Sequence, residues 1–198
     1  MLKLGITGGI GSGKSTICKI FKSLQVPVYH ADDRAKYLVS ADKEIQNDII
    51  SVFGEKAFTH STYNREYIAS VVFKDKNKLE SLNRIVHPRV EKDFSDWYQK
   101  QNCSYIVHEA AILFESGVYK QMDYTLFIDA PVNYRIERVV KRDKVSEKQV
   151  IVRLNNQWPA DKISEMADWV IVNDGKTLIL PQILEIHNYL TGVKKLHG

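Results

Sequence analysis

Long apolar runs, a cysteine framework and a strong charge bias are all missing from this 198-residue chain. No segment approaches the roughly 18 consecutive apolar residues of a membrane helix, so no transmembrane span is expected. The short apolar stretch at the N-terminus runs straight into a glycine-rich loop, which does not fit a secretory signal peptide. Two cysteines, Cys18 and Cys103, supply no disulfide framework, and a reducing, cytoplasmic setting is expected. The net charge of +4 is mild and dispersed. It suits small polyanions and gives no reason to expect nucleic acid as a partner. Its most basic run, Lys194-Lys195, reads as a solvated tail. Internal repeats and low-complexity tracts are absent, and nothing indicates an obligate protein partner. The N-K-x-D signature of guanine readers is missing too; the nearest stretch is Asn173-Asp174-Gly175-Lys176. A dinucleotide-binding G-x-G-x-x-G fails on register, because Gly9 and Gly11 put Lys14 in the third glycine position.

What is there is concentrated near the start. Gly8 to Ser15 reads G-x-x-x-x-G-K-S, the phosphate-binding loop pattern. Leu2, Leu4 and Ile6 before it read as a buried strand, and Ile17, Ile20, Phe21 and Leu24 after it share one helix face. A triphosphate must be wrapped closely by backbone N–H groups, and side chains at Gly8, Gly11 or Gly13 would obstruct that approach or the required dihedrals. The helix beginning near Lys14 adds unpaired N–H groups and the positive end of its dipole. Lys14 is expected to reach the β- and γ-phosphates, and the Ser15 hydroxyl to ligate Mg²⁺.

Further along, Val26 to His30 reads as a second strand with Asp32 and Asp33 just beyond its end. Ligands of open α/β sheets bind outside the carboxyl ends of the strands. One aspartate there could orient or deprotonate an acceptor hydroxyl; the alternative is a helix N-cap, since a helix follows from Arg34. Residues 34–101 read as helical, with a further helix starting at Pro88 and His87 at its entry, as a ligand or as a cap or surface residue. A helical insertion this long suggests a substrate-binding subdomain. Ser104 to Glu109, Tyr124 to Asp129 and Trp169 to Val172 read as strands three to five, so alternating strands and helices predict a parallel sheet with right-handed crossovers. Between the last two strands Arg138 and Arg142 share a helix face. Ser146 to Gln149 is a capping-box pattern opening a helix that carries Arg153 and Gln157. This arginine-bearing pair reads as a lid over the phosphates; the alternative is a solvated basic face.

Together these pieces resemble the dephospho-coenzyme A kinase family, from residue 2 to about residue 175. Gly5 to Thr16 is similar to the family's opening, Ala31-Asp32 to the end of its D-A-D element, His87-Pro88 to its H-P element, and Ile112 to Glu115 to its P-L-L-F-E turn. Arg138 to Asp143, Gln157, Ala167-Asp168 and Asn173-x-Gly175 resemble its C-terminal pattern. The chain departs from it at His30, in place of the first Asp of D-A-D, at Glu109, in place of an Asp, and at Ala111, in place of a Pro.

The resemblance implies ATP-dependent phosphorylation of the ribose 3′-hydroxyl of dephospho-coenzyme A, with Mg²⁺. It also implies an α/β fold of the P-loop type: a parallel five-stranded sheet flanked by helices. The core would be residues 1–33, 102–131 and 158–198, with a helical acceptor-binding insertion at 34–101 and a lid at 132–157. In this scheme Gly11, Ser12, Gly13, Lys14, Ser15 and Thr16 hold the ATP phosphates, and Asn173 and Gly175 lie beside the adenine. Asp32 accepts the acceptor's proton, while Arg138 and Arg142 close over the transferring group. Asp32, His87, Glu109 and Glu115 face the acceptor, and Glu109 reaches Mg²⁺ through water. The rival expectations are another small-molecule or nucleoside monophosphate kinase, and a P-loop regulatory protein without turnover.

Overall fold

The N-terminal apolar run forms β1 (Leu2–Gly8), and the glycine loop hands it to α1 (Lys14–Ser23), which buries Ile17, Cys18 and Phe21. The computed structural model describes residues 1–60, 62–155 and 157–192, so the basic Lys194-Lys195 run lies outside the described residues. The chain continues through β2 (Val28–His30), α2 (Ala31–Ala41), α3 (Lys43–Phe53), β3 (Phe58–Thr59), β4 (Thr62–Tyr63), α4 (Arg65–Val72) and α5 (Lys76–Tyr98). It then forms β5 (Tyr105–Glu109), β6 (Tyr124–Asp129), α6 (Val132–Asp143), α7 (Glu147–Asn155), α8 (Ala160–Met166), β7 (Trp169–Val172) and α9 (Ile179–Thr191). Two units result: Met1–His30 with Gln101–Gly198, and the continuous stretch Ala31–Lys100.

The first unit holds a five-stranded sheet in the order β2-β5-β1-β6-β7, parallel at every pairing. The chain leaves β1 toward one edge and crosses back from β5 to β6, so β1 and β5 flank the switch point at which such sheets bind ligands. Leu126 and Ile128 of β6 point into a core with Leu4, Ile6, Ile17, Phe21 and Ile183, while the intervening Phe127 packs with Phe114 and Ile163. This period-two alternation buries both faces, and it is why the strands read as near-continuous apolar runs. The five predicted strands all form, and Tyr124–Asp129 and Trp169–Val172 have the predicted bounds.

The second unit has its own core of Val39, Ile45, Ile49, Phe53, Ala57 and Ile68, with Leu82, Ile85 and Val86 of α5 packed against it. Arg34 of α2 donates from Nε to Asp93 Oδ2 of α5 at 2.8 Å. Three expectations are corrected here. A short antiparallel hairpin, β3–β4, interrupts the helices. Pro88 does not open a helix: α5 runs through it as one 23-residue element, capped once by Asp75, which accepts from Asn77 N at 2.9 Å. Proline inside a helix costs about 3 kcal/mol and a backbone bond, but the apolar residues on both sides of it pack and hold the helix together. Finally, α2 begins at Ala31 directly after β2, so Asp32 and Asp33 lie inside its first turn and neither is its N-cap.

Candidate active site

The site is built around the loop at the carboxyl end of β1. Gly11 and Gly13 have φ of +79° and +98°, a region where a side chain would be strained. Close packing adds to that constraint. A Cβ on Gly8 would come within 2.6 Å of Ile128 O, one on Gly9 would overlap the Arg135 guanidinium, and one on Gly13 would overlap Asn173 Nδ2. Lys14 Nζ folds back to donate to Gly8 O at 2.7 Å, so the ammonium lies inside the curl of the loop. Ser15 and Thr16 are exposed in the first turn of α1. Among the described residues the N–H groups of Gly11, Gly13 and Ser15 have no protein acceptor. They sit where the α1 dipole is positive, an arrangement that receives an anion.

Around the loop, Asn173, 8% exposed, donates from Nδ2 to Ser12 O at 2.7 Å, and its own N–H is taken by Asp129 O at 2.7 Å. Asn173 therefore staples the end of β7 to the loop. Gly175 follows in a tight turn with φ +76°, where Asp174 accepts from Thr177 N at 2.8 Å. Arg138 of α6 lies against the loop as well, 3.4 Å from Gly11 O and 3.4 Å from Asn173 O. Arg142, one turn further, is held in an exposed ion pair with Asp143 at 2.7 Å, which also pairs with Arg153 at 3.2 Å.

At the neighbouring strand ends, His30 and Glu109 stand opposite each other in register, and His30 Nδ1 lies 3.0 Å from Glu109 Oε2. Cys18 is a buried residue of α1. Burial pushes its thiol up to about 12, the Glu109 carboxylate adds to the rise, and Lys14 opposes it. Cys18 therefore stays a protonated packing group rather than a nucleophile. Glu115, in the turn after β5, accepts from Trp158 N at 3.3 Å through Oε1, while its buried Oε2 has no partner among the described residues. His87 lies exposed in the middle of α5 and Asp32 in the first turn of α2; both belong to the second unit.

Two residues without an expected role also contact the loop. Gln157 Oε1 accepts from Ile10 N at 2.8 Å, and Arg135 Nε donates to Ile10 O at 3.0 Å. Gln157 was expected on a helix, but α7 ends at Asn155 and Gln157 lies beyond it. Arg135 is 9% exposed, and burial pulls its guanidinium below the usual arginine range, partly offset by Asp129. The sequence signal for it was slight: an arginine one helical turn before Arg138 on the same α6 face. The capping box forms as expected, with Ser146 N donating to Gln149 Oε1 at 3.0 Å and Gln149 N to Ser146 Oγ at 3.4 Å.

A parallel sheet with a glycine–lysine–serine loop at its switch point defines a P-loop nucleotide-binding protein. The family model described as dephospho-CoA kinase matches residues 2–178. The dephospho-CoA kinase of Bacteroides fragilis is 36% identical over 197 residues, covering 99% of this chain and 95% of that protein. That of Salinibacter ruber is 40% identical over 179 residues, covering 88% and 90%. The chain belongs to the dephospho-CoA kinase family, whose reaction is the ATP-dependent phosphorylation of dephospho-CoA. Among solved structures, the protein TT1252 of Thermus thermophilus superposes with a TM-score of 0.85 at 28% identity, covering 100% of this chain and 98% of that one. The dephospho-CoA kinase of Campylobacter jejuni shares the fold, with a TM-score of 0.68 at 22% identity over 96% and 97% of the two chains.

Proposed function

We propose that the chain transfers the γ-phosphoryl group of ATP to the ribose 3′-hydroxyl of dephospho-CoA in the cytoplasm, with Asp32 as proton acceptor and Lys14 as the principal charge on the donor. The observation that carries this reading is the loop itself: glycines at positive φ, N–H groups without protein acceptors among the described residues, and a lysine folded into the curl. In the transfer, the bond between the γ-phosphorus and the β,γ-bridging oxygen breaks as the one to the acceptor oxygen forms. The acceptor's proton passes to Asp32, late, because the transition state is largely dissociative. Lys14 exchanges the Gly8 carbonyl for the β- and γ-oxygens. Among the described residues no group of three or more His, Cys, Asp or Glu could hold a metal by itself. That fits an ion carried in by the nucleotide: Mg²⁺ would be held by the phosphates and the exposed Ser15 hydroxyl, with Glu109 on its water shell, and would neutralise charge on the leaving diphosphate. Arg138, already at the loop, takes up the charge that develops on the transferring group.

The deciding experiment is ADP release from Mg²⁺-ATP with and without dephospho-CoA, using AMP, CMP and adenosine as controls. Strong stimulation by dephospho-CoA alone, with a product heavier by one phosphate, is expected. Stimulation by AMP or CMP instead would make the chain a nucleotide kinase, and no stimulation by any acceptor would make it a binding protein.

The two arginines are expected to differ. Arg138→Ala should lower kcat by about a hundredfold. Arg142 has to leave Asp143 before it can reach a phosphate, and Arg142→Ala should lower kcat by about tenfold. Steady-state rates at saturating ATP measure both; a loss below threefold for Arg138 would return α6 to an ordinary basic face.

A further inference from the structure

We infer that Arg135 and Gln157 form a clamp on Ile10 that aims the loop's N–H groups at the nucleotide, which makes both of them positioning residues for ATP. The inference rests on the reading of the loop as the ATP site.

A trans peptide holds its N–H and its C=O on opposite sides. Arg135 Nε takes the Ile10 carbonyl at 3.0 Å, on the outside of the loop. The N–H of the same peptide unit, that of Gly11, is thereby turned to the other side, and it has no protein acceptor among the described residues. Gln157 works on the preceding unit. It takes the Ile10 N–H at 2.8 Å, so the Gly9 carbonyl points the opposite way, where it accepts Ser12 N at 3.0 Å and closes the turn. Both peptides flanking the Ile10 Cα are thus fixed. Arg135 also donates to Gln157 Oε1 at 3.3 Å, so the clamp is closed on itself.

Asn173 repeats the device two residues later. Its hold on the Ser12 carbonyl turns the Gly13 N–H inward. Side chains from α6, from the segment after α7 and from the end of β7 therefore orient the loop from outside. The glycines give the freedom; these donors and this acceptor remove it. Without them the loop would lose the ordering entropy only when ATP binds, at a cost in affinity. Gln157 is itself tied in place, because the next residue donates its N–H to Glu115 at 3.3 Å.

The test compares Gln157→Leu with Gln157→Glu, reading binding of a fluorescent ATP analogue together with steady-state kinetics. The leucine fills the space but accepts nothing, whereas the glutamate keeps an oxygen for the Ile10 N–H and a charge for Arg135. Gln157→Leu is expected to weaken the ATP analogue about tenfold and to raise KM for ATP by a similar factor. Its kcat and its KM for dephospho-CoA should stay within threefold. Gln157→Glu should bring ATP affinity back to within threefold of wild type. The clamp is overturned if Gln157→Leu binds ATP within twofold of wild type, if both substrates weaken equally, or if the glutamate is no better than the leucine. Binding is read without turnover, so a wild-type chain that binds ATP but phosphorylates no acceptor would defeat the proposed reaction and leave the clamp standing. A wild-type chain that does not bind ATP would defeat both.

Discussion

Lys14→Ala is expected to lower kcat/KM at least a thousandfold while leaving the protein folded. The lysine is the only cation the loop itself carries between Gly8 and Thr16. Losing a donor aimed at developing charge costs about a hundredfold to a thousandfold, and here a full charge facing two phosphate groups goes with it. A thousandfold corresponds to about 4 kcal/mol. The structural cost is small by comparison. The hydrogen bond from Lys14 Nζ to Gly8 O is worth about 1.5–3 kcal/mol for a charged donor. The loop keeps the bonds from Arg135, Gln157 and Asn173. The melting temperature should fall by no more than about 10 °C, as followed by circular dichroism, and the variant should remain cooperative. A variant that melts as expected yet turns over within tenfold of wild type would remove the loop from the chemistry.

Asp32→Asn should lower kcat by two to four orders of magnitude, the usual span for a lost general base, about 3–5 kcal/mol. The KM for ATP should stay within threefold, because the donor's charge is met by the loop. Asparagine keeps the size and an acceptor oxygen, and the favourable contact of the carboxylate with the α2 dipole is worth about 0.3–1 kcal/mol. Asp33, its neighbour, provides the control. It pairs with Lys36 at 2.7 Å on an exposed surface, and Asp33→Asn should change kcat less than threefold. Equal losses in the two variants would point to a shared effect on α2 rather than proton transfer. A loss confined to the KM for dephospho-CoA would make Asp32 a binding residue.

The elements that were legible in the sequence are those whose signals are local. β6 faces two apolar cores and so reads as a short continuous apolar run, and α1 carries its buried residues on one face, so local patterns found both. Gly8 to Ser15 announced the loop because the chemistry demands those residue types at that spacing. The clamp did not announce itself. Ile10 meets Arg135 across 125 residues and Gln157 across 147, and no local pattern distinguishes a glutamine that holds a loop from one on a surface. His30 is a similar case. Alone it is a departure from the family pattern; opposite Glu109, 79 residues away, it is one half of a pair. Pro88 misled for the opposite reason. Its local rule is sound, but the single cap at Asp75 and the packing on either side of it outweigh a lost backbone bond.

The position of β1 in the sheet sets an order in time. It is made before both of the strands it pairs with among the described residues, β5 and β6, which end at Glu109 and Asp129. At roughly 5–20 residues per second, about 6–25 s pass before its second neighbour has been made. Meanwhile Ala31–Lys100, whose core is drawn from its own stretch of chain, can complete its packing. Leu4 and Ile6, fully buried in the finished protein, lack their β5 and β6 neighbours through that interval. Gln157 and Asn173 arrive later still. The loop that defines the enzyme is therefore made well before the residues that give it its working shape.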